Sequence, residues 1–310
     1  MSTQLSILVI SYNTREETLE CLRSVFEQTD NTTFELIVLD NQSTDGSADA
    51  IEAEFGDRVQ LIRSEENLGF ARGNNEAAKS ATGDFLLLLN PDTVILDHAI
   101  DELMAFAQRT PDARIWGGRT LYDDGTLNAG SCWHRMTTWS LIMQAIGLSS
   151  VFPGSSLFNQ EGMGGWDRNS EREVDIVTGC FLLLHRAFWN ELGGFGSEYF
   201  MYGEEADLCL RAHALGARPR MSPQATIIHH GGRSEKVLAD KQVRLSRSKI
   251  LLIKQHFPSI TRGIGTLLFT LWPFSRWFIH ATLARLGRSS SREAARNWAE
   301  VWQRRAEWTG

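Results

Sequence analysis

Three short apolar runs in the first third of the chain each end on a polar cluster, and this pattern constrains the fold most. Leu5 to Ile10 precedes Ser11-Tyr12-Asn13, Phe34 to Leu39 precedes Asp40-Asn41, and Asp84 to Leu89 precedes Asn90-Pro91-Asp92. Between the first two runs, Glu16 to Gln28 places Leu19, Leu22, Val25 and Phe26 at helical spacing. Thr14 is the expected N-cap of that helix, with Glu17 positioned to complete a capping box. Ser47 to Phe55 and Ala71 to Ala81 predict further helices, and Val59 to Arg63 a strand. Strands alternating with helices predict an α/β architecture built on a doubly wound, mostly parallel sheet of Rossmann-like type. The nearly unbroken apolar run from Asp84 to Leu89 suits a parallel strand covered on both faces. Ligands of such sheets bind beyond the carboxyl ends of the strands, which is where the three polar clusters fall.

The middle of the chain is less regular. Val174 to Leu184 reads as a buried strand, Phe188 to Phe195 as a short helix closed by Gly193-Gly194, and Tyr202 to Leu215 as a helix opening with Glu204, Glu205 and Asp207. Ala225 to Ile228 reads as a strand ending on His229-His230-Gly231-Gly232. After Lys236 the pattern becomes helical: Val243 to His256 is amphipathic, and Thr261 to Leu286 is strongly apolar and aromatic. Arg262, Arg276 and Arg285 interrupt the second segment, and Pro273 is expected to break or kink it. Those charges make a poor transmembrane span. A membrane interface suits it, and so does a helical pair packed on the rest of the chain or against a second copy; the sequence leaves these open. The expected division is an α/β ligand-binding domain over 1–235 and a helical appendage over 236–310.

Composition supports a packed core, with 42% hydrophobic and 22% charged residues among 310. A net charge of -7 and a pI of about 5.7 give no basic face for nucleic acid. The tail differs, because Arg285, Arg288, Arg292, Arg296, Arg304 and Arg305 outnumber its acids. Cys21, Cys132, Cys180 and Cys209 form no CxxC pair and are expected as buried thiols in a reducing compartment. The start of the chain lacks the pattern of a secretory signal. The expectation is a cytoplasmic protein, with the basic tail suited to peripheral contact on the inner face of the plasma membrane.

Asp40 and Asp92 at neighbouring strand ends would repel one another in one crevice unless a cation or donor groups compensate. A hard divalent ion with substrate phosphates answers that need. Glu204, Glu205 and Asp207 emerge from the apolar segment Phe200-Met201-Tyr202-Gly203, and a buried carboxylate is suited to general-base work. His229 or His230 can supply a nitrogen ligand. No Gly-x-x-x-x-Gly-Lys loop, dinucleotide fingerprint or Gly-x-Ser-x-Gly elbow is present.

These motifs resemble a known family. LSILVISYN (Leu5 to Asn13), VLDNQSTDGS (Val38 to Ser47), NLGFARGNN (Asn67 to Asn75) and LLLLNPDT (Leu86 to Thr93) look like the inverting family 2 glycosyltransferases of GT-A fold. FMYGEEADLCLR (Phe200 to Arg211) and HHGGRS (His229 to Ser234) resemble its rhamnosyltransferase and galactofuranosyltransferase branch. The resemblance implies that Asp40 binds the nucleotide, with Ser11 and Asn13 lining the same pocket, and that Asn67, Phe70 and Asn74 help hold the donor. It places Asn90-Pro91-Asp92 at the family's Asp-x-Asp motif. Asp92 and His229 then become ligands of Mg²⁺ or Mn²⁺, and Asn90 replaces the first aspartate on the donor side. Glu205 falls where the family carries its base, usually Asp, so Glu204 and Asp207 stay open for that role. The implied donor is a dTDP- or UDP-linked sugar, rhamnose fitting the branch. The implied acceptor is a glycan or lipid-linked hydroxyl of a surface polysaccharide, and a homo-oligomer is compatible with the helical tail. A sugar-phosphate nucleotidyltransferase would need a glycine-rich basic N-terminal loop, unlike Ser11-Tyr12-Asn13-Thr14-Arg15. A non-catalytic carbohydrate-binding protein at a membrane would have no use for Asp92, Glu205 and His229 together.

Overall fold

The computed structural model describes residues 3–231 and 238–310. In chain order the N-terminal part runs β1 (Leu5–Ser11), α1 (Arg15–Gln28), β2 (Phe34–Asp40), α2 (Ser47–Phe55), β3 (Gln60–Arg63), α3 (Gly69–Ala78) and β4 (Phe85–Leu89). It continues with β5 (Thr93–Ile95), α4 (Ala99–Arg109), β6 (Ile115–Leu121), β7 (Leu127–Asn128), β8 (Cys132–Trp133), α5 (Thr138–Ala145) and α6 (Leu148–Val151). Then come β9 (Arg172–Glu173), β10 (Ile176–Val177), β11 (Phe181–His185), α7 (Arg186–Leu192), α8 (Glu204–Ala214) and β12 (Arg220–His229). The chain ends in α9 (Leu238–His256), α10 (Ser259–Arg285), α11 (Ser291–Gln303) and α12 (Ala306–Thr309). Two compact units emerge: Met1–Trp133 with Asp167–Ser234, and His134–Trp166 with Glu235–Gly310. The second therefore takes in α5 and α6 from the middle of the chain as well as the C-terminal helices. The expected boundary at 235/236 lies outside the described residues.

The first unit is built on a sheet of order β3-β2-β1-β4-β11-β6-β12-β5. β3, β2, β1 and β4 are mutually parallel, as the alternating pattern requires. β11 then inserts antiparallel between β4 and β6, β12 runs parallel to β6, and β5 pairs antiparallel with β12, so the sheet is mixed. The central strands show no alternation of buried and exposed positions. Leu5, Ile7, Leu8 and Val9 of β1 are all fully buried, as are Leu86, Leu87 and Leu88 of β4.

The path from β4 to β5 crosses β11, β6 and β12, which in a flat sheet would span about 19 Å at about 4.8 Å per strand. Leu89 and Thr93 are joined by only Asn90-Pro91-Asp92, a tether reaching at most about 14 Å. The sheet must curl until β5 returns beside the end of β4. Thr93 hydroxyl donates to Asn90 O at 2.8 Å and fixes the turn that closes this ring.

Several local expectations are corrected. Thr14 does cap α1 by position, but no capping box forms with Glu17. Instead Asp45 accepts from the Arg15 amide at 3.0 Å, while the Thr18 hydroxyl donates to Thr14 O at 2.7 Å. The strand expected over Val174 to Leu184 is split into β10 and β11 by a turn at Thr178-Gly179-Cys180, where Phe181 N donates to Thr178 O at 3.5 Å, while Cys180 O extends the β11–β4 ladder by accepting from Asn90 N at 3.1 Å. β12 begins five residues before the predicted strand; its polar first half carries an irregularity between Ser222 and Thr226 that hides the alternation. All four cysteines are free and buried, as expected.

In the second unit Pro273 neither ends nor splits α10. A proline removes one helix hydrogen bond, and aromatic packing on both sides holds the helix through it. Trp272 meets Trp298 at 5.0 Å and Phe269 meets Trp308 at 6.4 Å, while Phe274 meets Trp302 at 5.2 Å beyond the proline. Gly265 lets α9 and α10 approach, since a Cβ there would lie 2.9 Å from the Phe257 ring. Among the described residues no helix is long and apolar enough to cross a membrane.

Candidate active site

The sheet register sets the site. Ser11 pairs with Asp40 and Val9 with Leu89, so the ends of β2 and β4 flank the end of β1. That leaves Asp40 and Asn90 about 10 Å apart across two strand spacings.

On the β2 side, Asp40 is buried, and its Oδ2 accepts from the Ser43 amide at 3.0 Å. Its Oδ1 is buried without a partner. Asn13 takes a left-handed backbone (φ 51) and braces the same turn, its Oδ1 accepting from Thr44 N at 2.8 Å. Ser11 is fully buried and its hydroxyl bonds to Thr18 at 3.0 Å, so it supports the pocket from beneath. Asn41, read from sequence only as part of the strand-end cluster and given no site role of its own, is nearly fully buried and stitches the site together. It accepts from Leu68 N at 2.7 Å and donates to Asn67 Oδ1 at 3.1 Å and to Gly69 O at 3.3 Å.

That loop leads into α3, where Asn74 donates to Phe70 O at 2.9 Å and so stiffens the helix start rather than facing outward. Phe70 N donates to Phe200 O at 2.9 Å, joining α3 to the segment before α8. The Phe70 ring and the Glu205 Cβ both lie against Gly179, at 3.2 and 3.6 Å from a Cβ built there. Gly179 and Cys180, also unforeseen, thereby connect the Glu205 end to the Asn90 end.

At the strand-end motif, His229 Nε2 lies 3.3 Å from Asp92 Oδ1 and 3.3 Å from Asn90 Nδ2. The register His229↔Thr93 between β12 and β5 makes this meeting. Burial opposes ionisation of Asp92, but the hydrogen bond and charge of His229, with a backbone hydrogen bond and the charge of His230, together outweigh it and hold the carboxyl below its ordinary range. Burial likewise disfavours a charged His229, yet Cys180 and Asp92 beside it push its pKa up to about 11. His230 is anchored to Asp123 and 3.6 Å from Glu20. Gly232 to Ser234 of the HHGGRS motif lie outside the described residues.

The donors at this point fit a divalent cation. They are a carboxylate, an imidazole and Asn90 Oδ1, which is buried without a partner. Among the described residues no group of three or more His, Cys, Asp and Glu forms a closed metal cage. Mg²⁺ and Mn²⁺ accept such partial sets when phosphate oxygens complete them. Cation and proton would compete for His229.

The three acids of α8 separate clearly. Asp207 is tied to Arg211 at 2.7 Å, and Arg211 also donates to Leu192 O and Gly194 O, so this pair holds α7 and α8 together. Glu204 and Glu205 each keep an Oε2 buried and unpartnered. Burial raises Glu204 well above its ordinary value, and the charge of Glu205 adds to it; burial also raises Glu205. Unpaired buried acceptors cost about 1–3 kcal/mol each. Three such oxygens, on Asp40, Asn90 and Glu205, lie on segments that the Asn41, Phe70 and Gly179 contacts join, an arrangement suited to a ligand.

Residues 6–188 match Glycosyl transferase family 2. The chain belongs to that family. It is 28% identical over 238 residues to the O-antigen biosynthesis protein RfbC of Myxococcus xanthus, covering 74% of this chain and 17% of that protein. It is 27% identical over 252 residues to the N-acetylglucosaminyl-diphospho-decaprenol L-rhamnosyltransferase of Mycobacterium tuberculosis, covering 76% of this chain and 78% of that one. The chain thus spans a small part of the first relative and most of the second. Its fold is similar to that of the mannosyltransferase PcManGT from Pyrobaculum calidifontis, solved with GDP-Man and Mn2+. The TM-score is 0.61 at 15% identity, over 97% of this chain and 85% of that one. The fold is GT-A.

Proposed function

We propose that this chain transfers a sugar, rhamnose fitting best, from a dTDP- or UDP-linked donor to a hydroxyl of a glycan or lipid-linked acceptor in polysaccharide biosynthesis. The observation that carries the reading is Glu205: a buried carboxylate with a raised proton affinity and an unpartnered oxygen. It lies against Gly179, the residue before Cys180, whose carbonyl holds Asn90.

Asp40 Oδ1 accepts from the donor's nucleoside, with Asn13 and Asn67 shaping the pocket and Phe70 walling it. Asp92 and His229 would hold a divalent cation, which when bound neutralises charge on the departing diphosphate. Glu205 Oε2 accepts the acceptor hydroxyl's proton as that oxygen attacks the anomeric carbon. The bond to the diphosphate breaks on the opposite face, so one displacement inverts the anomeric centre. Asp207 is committed to Arg211, and it is Glu205 that lies against Gly179 on the way to Asn90, which favours Glu205 as the base. The donor class rests on the rhamnosyltransferase named above and on the shared motifs.

A thermal-shift panel of nucleotide diphosphates and their sugars, with Mn²⁺, Mg²⁺ or chelator, tests this. A ligand specific to the native state raises Tm by mass action. Metal-dependent stabilisation by dTDP or UDP is the expected result; stabilisation by none of them would overturn the donor assignment.

A further inference from the structure

Helix α10 is apolar on two opposite faces, which marks a helix either buried all round or meeting an apolar medium. One face, with Gly265, Phe269 and Pro273, is buried within its own unit. The other carries Ile260, Ile264, Leu267, Leu271, Phe274 and Phe278, and all six are exposed, Ile260 by 86%. Their spacing alternates four and three residues, so they form one stripe along a helix about 40 Å long. Ile146, Val151 and Phe152 of the same unit are exposed too. Arg276 ties that segment to α10 through Gln144 O at 3.3 Å and Ser150 Oγ at 3.0 Å. An apolar surface of this extent is an interaction site.

Charge selects the occupant. The whole chain carries -7, yet Lys241 to Arg292 contains ten Lys or Arg and no Asp or Glu. Arg262, Arg285, Arg288 and Arg292 are exposed. Arg285 lies seven residues beyond Phe278 on the stripe's own side of the helix, so a second copy laid parallel along the stripe would set Arg285 against its counterpart, and in either direction two basic surfaces would meet. The residues flanking the stripe (Thr261, Gly263, Leu268, Thr270, Ser275, Trp277) offer no acid to relieve this. An anionic lipid surface accepts the apolar stripe and its basic ends together. We propose that the exposed face of α10 seats this chain in the plane of an anionic bilayer surface.

The test is co-sedimentation of the full chain with vesicles of phosphatidylcholine alone, or with about one third phosphatidylglycerol, a readout independent of donor, acceptor or turnover. Binding is expected to the anionic vesicles and to weaken with salt. The Leu267→Glu/Leu271→Glu variant should partition at least about tenfold less. Arg285→Glu/Arg288→Glu, which leaves the stripe intact, should lose about fivefold per charge. Melting and nucleotide-induced stabilisation serve as checks that both variants fold. If the stripe variant fails them, the arginine variant and the two lipid compositions still decide. Equal binding to both vesicle types, or variants that bind as the parent does, would overturn the proposal. So would a parent that ignores vesicles and sediments as a dimer which Leu267→Glu/Leu271→Glu converts to monomer.

Discussion

Replacing Gly69 by alanine should destabilise the protein by about 2–3 kcal/mol and slow turnover. Gly69 has φ +74, where an L side chain costs about 1–2 kcal/mol. A Cβ there would also sit 2.4 Å from Phe200 O, a backbone atom with no rotamer to escape into. An ordinary C···O contact needs about 3.3 Å, so the Phe200 segment must retreat by about 1 Å. That retreat breaks the 2.9 Å bond from Phe70 N to Phe200 O, worth about 1 kcal/mol. Gly193 provides the control: it has φ +76 with nothing within 4 Å, so Gly193→Ala should cost only the backbone strain. Urea unfolding at constant m separates the two. Because Glu204 and Glu205 follow Phe200 closely, initial rates should fall further for Gly69→Ala than donor affinity does. Equal stability loss in the two variants would refute the close-approach argument.

Glu205→Gln should retain nucleotide-sugar binding by calorimetry while turnover falls by about 10²–10⁴; unchanged turnover would move the base elsewhere. Asp92→Ala should abolish the metal-dependent part of the nucleotide-induced Tm shift, and an unaltered shift with and without chelator would contradict its role. Asp207→Asn should lower unfolding free energy by about 3 kcal/mol through the Arg211 pair, with kcat per folded molecule little changed. Glu204 has a folded pKa raised above its ordinary 4.5, so the unfolded chain releases its proton first as pH rises. Its contribution to stability is therefore full below about 4.5 and declines as pH climbs toward the folded value. Glu204→Gln should flatten that decline in a pH series of melts, and an identical slope would argue against a protonated Glu204.

Where sequence sufficed, the physics was local. β1, β2 and β4 were readable because each apolar run meets a turn former, and burial on both faces leaves no alternation to misread. Asp207 could have been separated from its neighbours too, since Arg211 lies four residues on, at salt-bridging distance on a helix. The rest was non-local. Nothing near His229 in sequence announces that β12 will bring it to Asp92 across β5. Asn41 looked like one more polar turn residue, and only burial reveals it as the link between Asn67 and Gly69. Gly179 and Cys180 sat inside an apolar run, so the turn that separates β10 from β11 left no mark in the pattern. Pro273 does not break α10, because its penalty is weighed there against packing on Trp298, Trp302 and Trp308.

The three residues that close the curled sheet also supply the expected cation ligand. In most α/β folds a strand-end motif hangs on a loop that can drift while the sheet stays whole. Here Asn90-Pro91-Asp92 is the clasp of a belt: moving the Asp92 backbone away from β12 breaks the 3.0 Å bond from His230 N to Asp92 O and asks Thr93 to slip its register with β12 or Leu89 to slip with Phe181. Backbone amides on either side of the clasp should therefore exchange with solvent as slowly as those of the central strands. Donor binding and release must then be accommodated by other segments, with the Asp92–His229 gap as the fixed jaw against which they close.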